Sequence, residues 1–93
     1  MKIEIGKLTY NIINYDEQRD ISAYQPRHLI RFELAHKNYS ETDFTEIKTE
    51  LENNNNNIKI ILDNGNNIIK QINNLLNCYY DIGNNMLIFA ITI

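Results

Sequence analysis

The sequence predicts one small α+β domain that spans residues 1–93. We expect a mostly antiparallel, curved β-sheet or a small β-sandwich or barrel, with six or seven strands and one α-helix against it. Three observations predict this class. Hydrophobic and polar residues alternate in several short segments, glycine-containing turns separate these segments, and only one segment has helical spacing. A chain of 93 residues that is 43% hydrophobic can bury one core but not two.

The first predicted element is a β-hairpin in the segment KIEIGKLTYNIINY. Ile3 and Ile5 alternate with charged residues, Gly6 and Lys7 suit a tight turn, and the alternation resumes at Leu8. The next segment, DEQRDISAYQP, is rich in charge and contains a proline near its end, so we expect an exposed connection there.

A third strand is predicted in the segment RHLIRFEL, which again repeats with period two. The pattern places Leu29, Arg31 and Glu33 on a face that we expect to be solvated. It places the following residues on the opposite, apolar face: His28, Ile30, Phe32 and Leu34.

One helix is predicted in the segment YSETDFTEIKTELE. Ser40 is a favourable N-cap, and Asp43 stands where a capping box places its acid. Phe44, Ile47 and Leu51 follow at helical spacing and form a narrow apolar stripe, so we expect this side of the helix to pack on the sheet.

Five consecutive asparagines, residues 53–57, begin where this apolar stripe ends. They can be interpreted as a disordered linker or as a loop inside one domain. Asparagine tolerates the left-handed conformation that ends helices, and the strand-like segment IKIIL follows at once. The pattern therefore favours a helix-to-strand loop of ordinary length.

Two further hairpins are predicted in the C-terminal part of the chain. Asn64 and Gly65 separate IKIIL from NIIKQI, and an Asn-Gly turn of this kind usually requires positive φ at both central residues. The second hairpin joins LLNCYYDI to MLIFAITI through a turn around Gly83.

The sequence offers few candidates for chemistry. Cys78 has no partner for an internal disulfide, and its alternation with Tyr80 predicts a buried structural thiol rather than a nucleophile. His28 and His36 lack the spacing of a metal site. The acids Asp16, Glu17 and Asp20 could be paired catalytic carboxylates, but Arg19 lies among them, so a solvated loop is the favoured interpretation. We therefore expect no enzyme activity, no catalytic residue, no metal and no cofactor.

Charge and hydropathy favour proteins as partners rather than nucleic acids or membranes. The net charge is −3, and the nine basic residues are scattered rather than clustered into a basic surface. No segment has the length of apolar sequence that a membrane span requires, and the N-terminal segment does not resemble a signal peptide. We therefore expect a soluble chain that is intracellular when it is made.

An uneven charge distribution points to the last hairpin as an association surface. Residues 53–93 contain only two acids and two bases, and the segment MLIFAITI contains one polar residue. A single helix cannot cover both faces of such a strand, so either the sheet curls over it or another chain does. The chain also ends on an apolar residue, which we expect to meet a neighbour. The predicted interface residues are Leu87, Phe89, Ile91 and Ile93.

The order of elements and the composition resemble small tail or baseplate-associated proteins of bacteriophages and phage-like particles from low-GC bacteria. The segments KIEIGKLTYNIINYDEQRD and LIRFELAHKNYSETDFTEIKTEL and the closing hairpins carry this resemblance. It implies a virion component, made in the bacterial host cytoplasm, that binds copies of itself or other structural subunits. Two alternatives remain: a small phage-encoded inhibitor or accessory protein that binds a host protein, and an enzyme subunit with an unrecognised site.

Overall fold

The computed structural model describes residues 1–21 and 26–92, and most of them lie in strands. A 3₁₀ turn (Glu41–Phe44) and the helix α1 (Ile47–Asn53) connect the third strand to the fourth. The predicted α+β class with a mostly antiparallel sheet is confirmed. The strands are β1 (Lys2–Ile5), β2 (Leu8–Asp20), β3 (Arg27–Leu34), β4 (Asn57–Ile61), β5 (Asn67–Gln71), β6 (Leu75–Asp81) and β7 (Met86–Thr92).

The seven strands form one sheet in the order β5-β4-β1-β2-β3-β7-β6. All neighbouring strands are antiparallel, and the sheet does not close into a barrel within the described residues. The long strand β2 joins the two halves, because its first part pairs with β1 and its later part with β3. Its pairing with β3 shifts between Ile12 and Asn14, and such a bulge bends a strand and increases its twist.

The charged segment after Tyr15 is a strand, so the prediction of an exposed connection there is wrong for residues 16–20. Acids are poor strand formers, but Asp16 and Asp20 lie directly opposite Arg31 and Arg27 on the neighbouring strand β3. Arg31 binds Asp16 through two hydrogen bonds of 2.8 and 2.6 Å, and Arg27 donates to Asp20 at 2.7 Å. Residues 22–25 of the predicted connection lie outside the described residues.

The main core lies on one face of the sheet, under the helical segment. Phe44, Ile47 and Leu51 are buried, which confirms the apolar stripe predicted for the helix. The prediction that His28, Ile30, Phe32 and Leu34 share one face is also confirmed by their register, although His28 is only half-buried. Strand residues with fully buried side chains complete this core: Ile3, Ile5, Phe32, Leu34, Ile58, Ile60, Leu87 and Phe89.

The helical segment begins after Ser40, as predicted, but its first turn is a 3₁₀ turn rather than α-helix. The backbone N–H of Ser40 donates to the Asp43 carboxylate at 2.6 Å, the contact that a capping box provides. Both the backbone N–H and the hydroxyl of Thr45 donate to the carbonyl of Thr42, at 3.4 and 3.1 Å. These bonds close a tight turn, so regular α-helix starts only at Ile47.

The asparagine run forms the end of α1, a turn and the first residue of β4. Asn55 and Asn56 have φ values of 55° and 59°, and the N–H of Asn56 donates to the carbonyl of Leu51 at 2.7 Å. Of the two hydrogen bonds that define a Schellman ending, this is the one that spans more residues, from Asn56 back to Leu51. The interpretation as a structural loop therefore agrees with the fold.

The hairpin between β4 and β5 differs from the predicted Asn-Gly turn. Leu62 donates to the carbonyl of Asn66 at 2.8 Å, so the loop is longer than two residues. Gly65 has a φ of 85°, whereas Asn64 does not have positive φ. The prediction of positive φ at both positions is wrong because the longer loop needs only one left-handed residue near its end.

Candidate interaction surface

The sheet ends on two edge strands, β5 and β6. Among the strands of residues 1–21 and 26–92, β5 pairs only with β4 and β6 pairs only with β7. An edge strand presents unpaired backbone N–H and C=O groups, which can pair with a strand of another chain. We use the term open edge for the side of β6 that faces away from β7.

The β5 edge is guarded by a charge that points towards the core. Lys70 lies opposite Ile58 in the register, on the core-facing side of the sheet, and its ammonium group donates to Glu17 at 2.5 Å. An inward-pointing lysine on an edge strand is a common means of preventing edge-to-edge pairing, because an added strand would bury the charge. The β5 edge is therefore unsuited to pairing.

Glu17 joins three strands through one carboxylate. Its Oε1 accepts the hydrogen bond from Lys70 on β5 and lies 3.1 Å from Nε2 of His28 on β3. The hydrogen bond from Lys70 is the main reason that the pKa of Glu17 lies below its ordinary value of 4.5. Glu17 is therefore ionised near neutral pH and holds Lys70 away from the solvent-facing side of β5.

The β6 edge has little of this protection. Asp81 is the only charged residue of the strand, and the strand contains no proline or lysine. The side chain of Leu76 is 48% exposed and that of Ile82, just beyond the strand, is 66% exposed. The pairing with β7 shifts at Leu76, which is a bulge, so regular pairing extends from Asn77 to Asp81.

A groove of about 460 Å³ lies between β6 and the helical segment. Its lining is largely apolar, with Glu41 and Lys48 as the charged members. A groove beside an edge strand can receive the alternate side chains of a strand that pairs with that edge. The principal apolar lining residues are Phe44, Ile47, Leu75, Cys78 and Tyr80.

Cys78 packs against the main core, as its alternation with Tyr80 predicts, but it is only partly buried because it also lines this groove. Burial raises the pKa of the Cys78 thiol to about 12. The thiol is therefore neutral at physiological pH, and a neutral thiol is a poor nucleophile.

The C-terminal end of β6 is fixed by Asn85 in the following turn. The hydroxyl of Tyr80 donates to the side-chain oxygen of Asn85. The side-chain nitrogen of Asn85 donates to the carbonyls of Leu34 and His36, at 3.0 and 2.7 Å. These contacts connect the β6–β7 turn to the end of β3, so they hold the C-terminal end of β6 in place.

The structure places the predicted interface residues mainly in the core. Leu87 and Phe89 are 0% exposed, because β7 lies between β3 and β6 and its main-core face is covered. Ile91 is half-buried, and Ile93 lies outside the described residues. The association of the last hairpin stays a prediction, but neither Leu87 nor Phe89 provides surface for it. The sequence does not single out the edge residues of β6, because strand order is not visible in a sequence. The low charge of this segment is visible there.

A second, smaller apolar cluster lies on the outer face of β3 and β7. Leu29, Ile88 and Ala90 are buried there, with Tyr79 and Met86 packed against them. The prediction of a fully solvated face for β3 is therefore wrong at Leu29, because its neighbours on β7 are apolar rather than polar. Both faces of β7 are thus buried within the chain.

The three candidate carboxylates are bound to bases rather than arranged as a catalytic pair. Asp16 binds Arg31, Glu17 binds Lys70, and Asp20 binds Arg27. Among the described residues, no group of three or more His, Cys, Asp or Glu side chains is placed to hold a metal ion.

Comparison with known protein families, with curated proteins and with solved structures finds no match for the chain. No helix in the described part of the chain is long and apolar enough to cross a membrane. The strand order and the charges on the two edge strands define a small β-rich domain in which one sheet edge is guarded and the other lacks this protection.

Proposed function

We propose that this chain is a structural or assembly protein of a phage tail or phage-like particle, and that it acts through protein–protein contacts. The observation that carries the proposal is the open edge of β6. Its partners are copies of itself or other structural subunits of the virion. The resemblance in element order and composition supports a role in such a particle, and the open edge supports strand pairing as the mode of contact.

The open edge suits this role because it offers two kinds of recognition. Unpaired backbone groups give affinity for any extended segment, while an adjacent groove selects the side chains that alternate along it. The groove beside β6 has an apolar wall that includes Phe44 and Leu75. A net charge of −3 without a clustered basic surface also favours a protein partner over a nucleic acid. The role requires no catalytic residue, metal or cofactor.

A second function, a small phage-encoded inhibitor of a host protein, is favoured by the acidic surface of the helical segment. Glu41, Glu46 and Glu52 are exposed there. Negative surfaces accelerate association with a basic partner, as an inhibitor of a basic host protein would require. In this case the open edge would pair with the host protein instead of a virion subunit.

The location of the chain after infection or induction distinguishes the two functions. Particles purified from producing cells should contain the chain in constant ratio to other tail proteins, measured by mass spectrometry. Leu76→Lys, which adds a charge at the open edge, should reduce incorporation. Ile69→Lys, at an exposed position on β5, is the matched control and should not. Recovery of the chain only in the soluble fraction, bound to one host protein, would contradict the assembly function.

A further inference from the structure

The regular part of the open edge is short and has a defined centre. β6 pairs with β7 residue by residue from Asn77 to Asp81, while the bulge at Leu76 interrupts the ladder before it. A strand added at the open edge therefore finds regular backbone geometry only along these residues. Tyr79 is the middle residue of this segment.

A second copy of the chain could meet this edge with either of its own edges. Pairing with β5 would use the edge that is guarded by Lys70, which points inward and is bound to Glu17. Repeated contacts between β6 and β5 would also generate an open-ended filament of subunits. Pairing of β6 with β6 uses the unguarded edge twice and closes after two copies. The asymmetry between the two edges therefore selects β6 pairing with itself.

The β6 sequence is complementary to itself when two copies run antiparallel about Tyr79. Directly opposite residues of antiparallel strands lie on the same face of the sheet. Tyr79 then faces its own copy, an aromatic pair of the kind that stabilises neighbouring strands. Cys78 faces Tyr80, and both lie on the core side. Asp81 faces Asn77, whose amide can donate to the carboxylate, so no like charges lie opposite each other.

We infer that two copies of this chain pair through the open edge of β6 as a two-fold antiparallel dimer centred on Tyr79. This inference rests on the proposed function, for which it names the first partner. A register centred on Cys78 instead would place the bulged Leu76 opposite Tyr80 and would lose part of the regular ladder. The dimer joins two sheets into one continuous sheet and leaves both guarded β5 edges at its ends.

Disulfide cross-linking of the full-length chain tests both the partner and the register. Directly opposite Cα atoms in antiparallel strands are about 4.5–5.5 Å apart, within the range of about 4.4–6.8 Å that a disulfide accepts. In a Cys78→Ser background, Tyr79→Cys should form a covalent dimer under mild oxidation. Asn77→Cys is the matched control on the same strand and face. It lies about 13 Å along the strand from its own copy and should not cross-link.

A second set of variants does not depend on replacing Tyr79. Asn77→Cys and Asp81→Cys, each in the Cys78→Ser background, should form no covalent dimer when oxidised alone, because neither residue lies opposite its own copy. A mixture of the two should give a covalent dimer that contains one chain of each, identified by mass. Circular dichroism of each variant confirms that it is folded. The inference is overturned if the folded variants give no dimer, or if Asn77→Cys alone cross-links as fast as Tyr79→Cys.

These outcomes are distinct from those of the particle experiment. If cross-linking fails while Leu76→Lys still reduces incorporation into particles, the self-pairing is wrong and the proposed function stands, with another subunit at the open edge. If the cross-linked dimer forms but the chain is absent from particles, the dimer stands and the proposed function is wrong.

Discussion

The ammonium group of Lys70 on β5 lies 2.5 Å from the carboxylate of Glu17 on β2, although three steps in the strand order separate these strands. The contact requires the sheet to curve so that β5 approaches the far part of β2, and the bulge between Ile12 and Asn14 is a feature that bends a strand in this way. The same contact holds the inward charge that guards β5. The bend and the difference between the two edges are therefore connected through one ion pair.

We predict that this ion pair contributes modestly to stability. The side chains of Lys70 and Glu17 are 26% and 37% exposed, so solvent screens their attraction. A double-mutant cycle with Glu17→Gln and Lys70→Met, measured by urea unfolding, should give a coupling free energy of about 0.5–1 kcal/mol. A coupling free energy near zero would show that the ion pair does not stabilise the approach of β5 to β2.

The pH dependence of stability should report on the same carboxylate. The pKa of Glu17 is lowered in the folded chain, chiefly by the hydrogen bond from Lys70. The contribution of Glu17 to the free energy of unfolding is therefore fully present above the ordinary pKa of 4.5. It is lost as the pH falls through the lower pKa of the folded chain. The acid loss of stability, followed by urea unfolding across this range, should be shallower for Glu17→Gln. Identical acid profiles would contradict the assignment.

Substitutions of buried residues in β7 should lower the stability of the fold rather than weaken association alone. The side chain of Phe89 is fully buried, so Phe89→Ala should lower the free energy of unfolding by about 3–5 kcal/mol. Leu87→Lys and Phe89→Lys should prevent folding, because each would bury an unpaired charge. Ile88→Lys, on the opposite face, should do the same, since Ile88 is only 4% exposed. A folded lysine variant that loses association would instead support the interface predicted at these residues.

The end of helix α1 should depend on backbone conformation at Asn55. This residue has a φ of 55°, which glycine adopts without strain and a β-branched residue does not. Asn55→Gly should therefore leave the free energy of unfolding nearly unchanged, while Asn55→Val should lower it by about 1–2 kcal/mol. Thermal unfolding of the two variants provides the comparison. Equal melting temperatures would show that the left-handed turn does not limit stability.

The Cys78 thiol should react slowly in the folded chain. Burial raises its pKa to about 12, so the reactive thiolate is scarce and the sulfur is poorly accessible. Labelling with a disulfide reagent near neutral pH should be slow without denaturant and fast in urea. Rapid labelling of the folded chain would show that Cys78 is exposed to solvent.

Local features of the fold could be predicted from the sequence because their causes are local. The turn at Gly6 and the burial of Ile47 follow from glycine conformation and helical spacing, and both are found in the structure. The strand character of Asp16 could not be predicted in this way. It depends on Arg31, which is distant in the sequence and becomes its neighbour only when β2 pairs with β3.

The candidate site shows the same division. The low charge of the last strands is visible in the sequence, and it points to the part of the chain that contains the open edge. The position of β7 inside the sheet, and of β6 at its end, is set by the long-range pairing of β3 with β7. Sequence periodicity indicates which residues share a face, but it carries no information about which strand lies at the edge. The sequence therefore points to Leu87, although its side chain is buried in the core.

Hydrogen exchange of backbone amides, followed by NMR on the full chain over a range of protein concentrations, tests the open edge of β6 most directly. Alternate residues of an edge strand direct their N–H groups away from the sheet, and these amides exchange freely until another strand pairs with them. Alternate amides within Asn77–Asp81 should become protected as the concentration rises, while those of β5 should not. Exchange in β6 that is independent of concentration, or protection that appears in β5 instead, would contradict the pairing of β6.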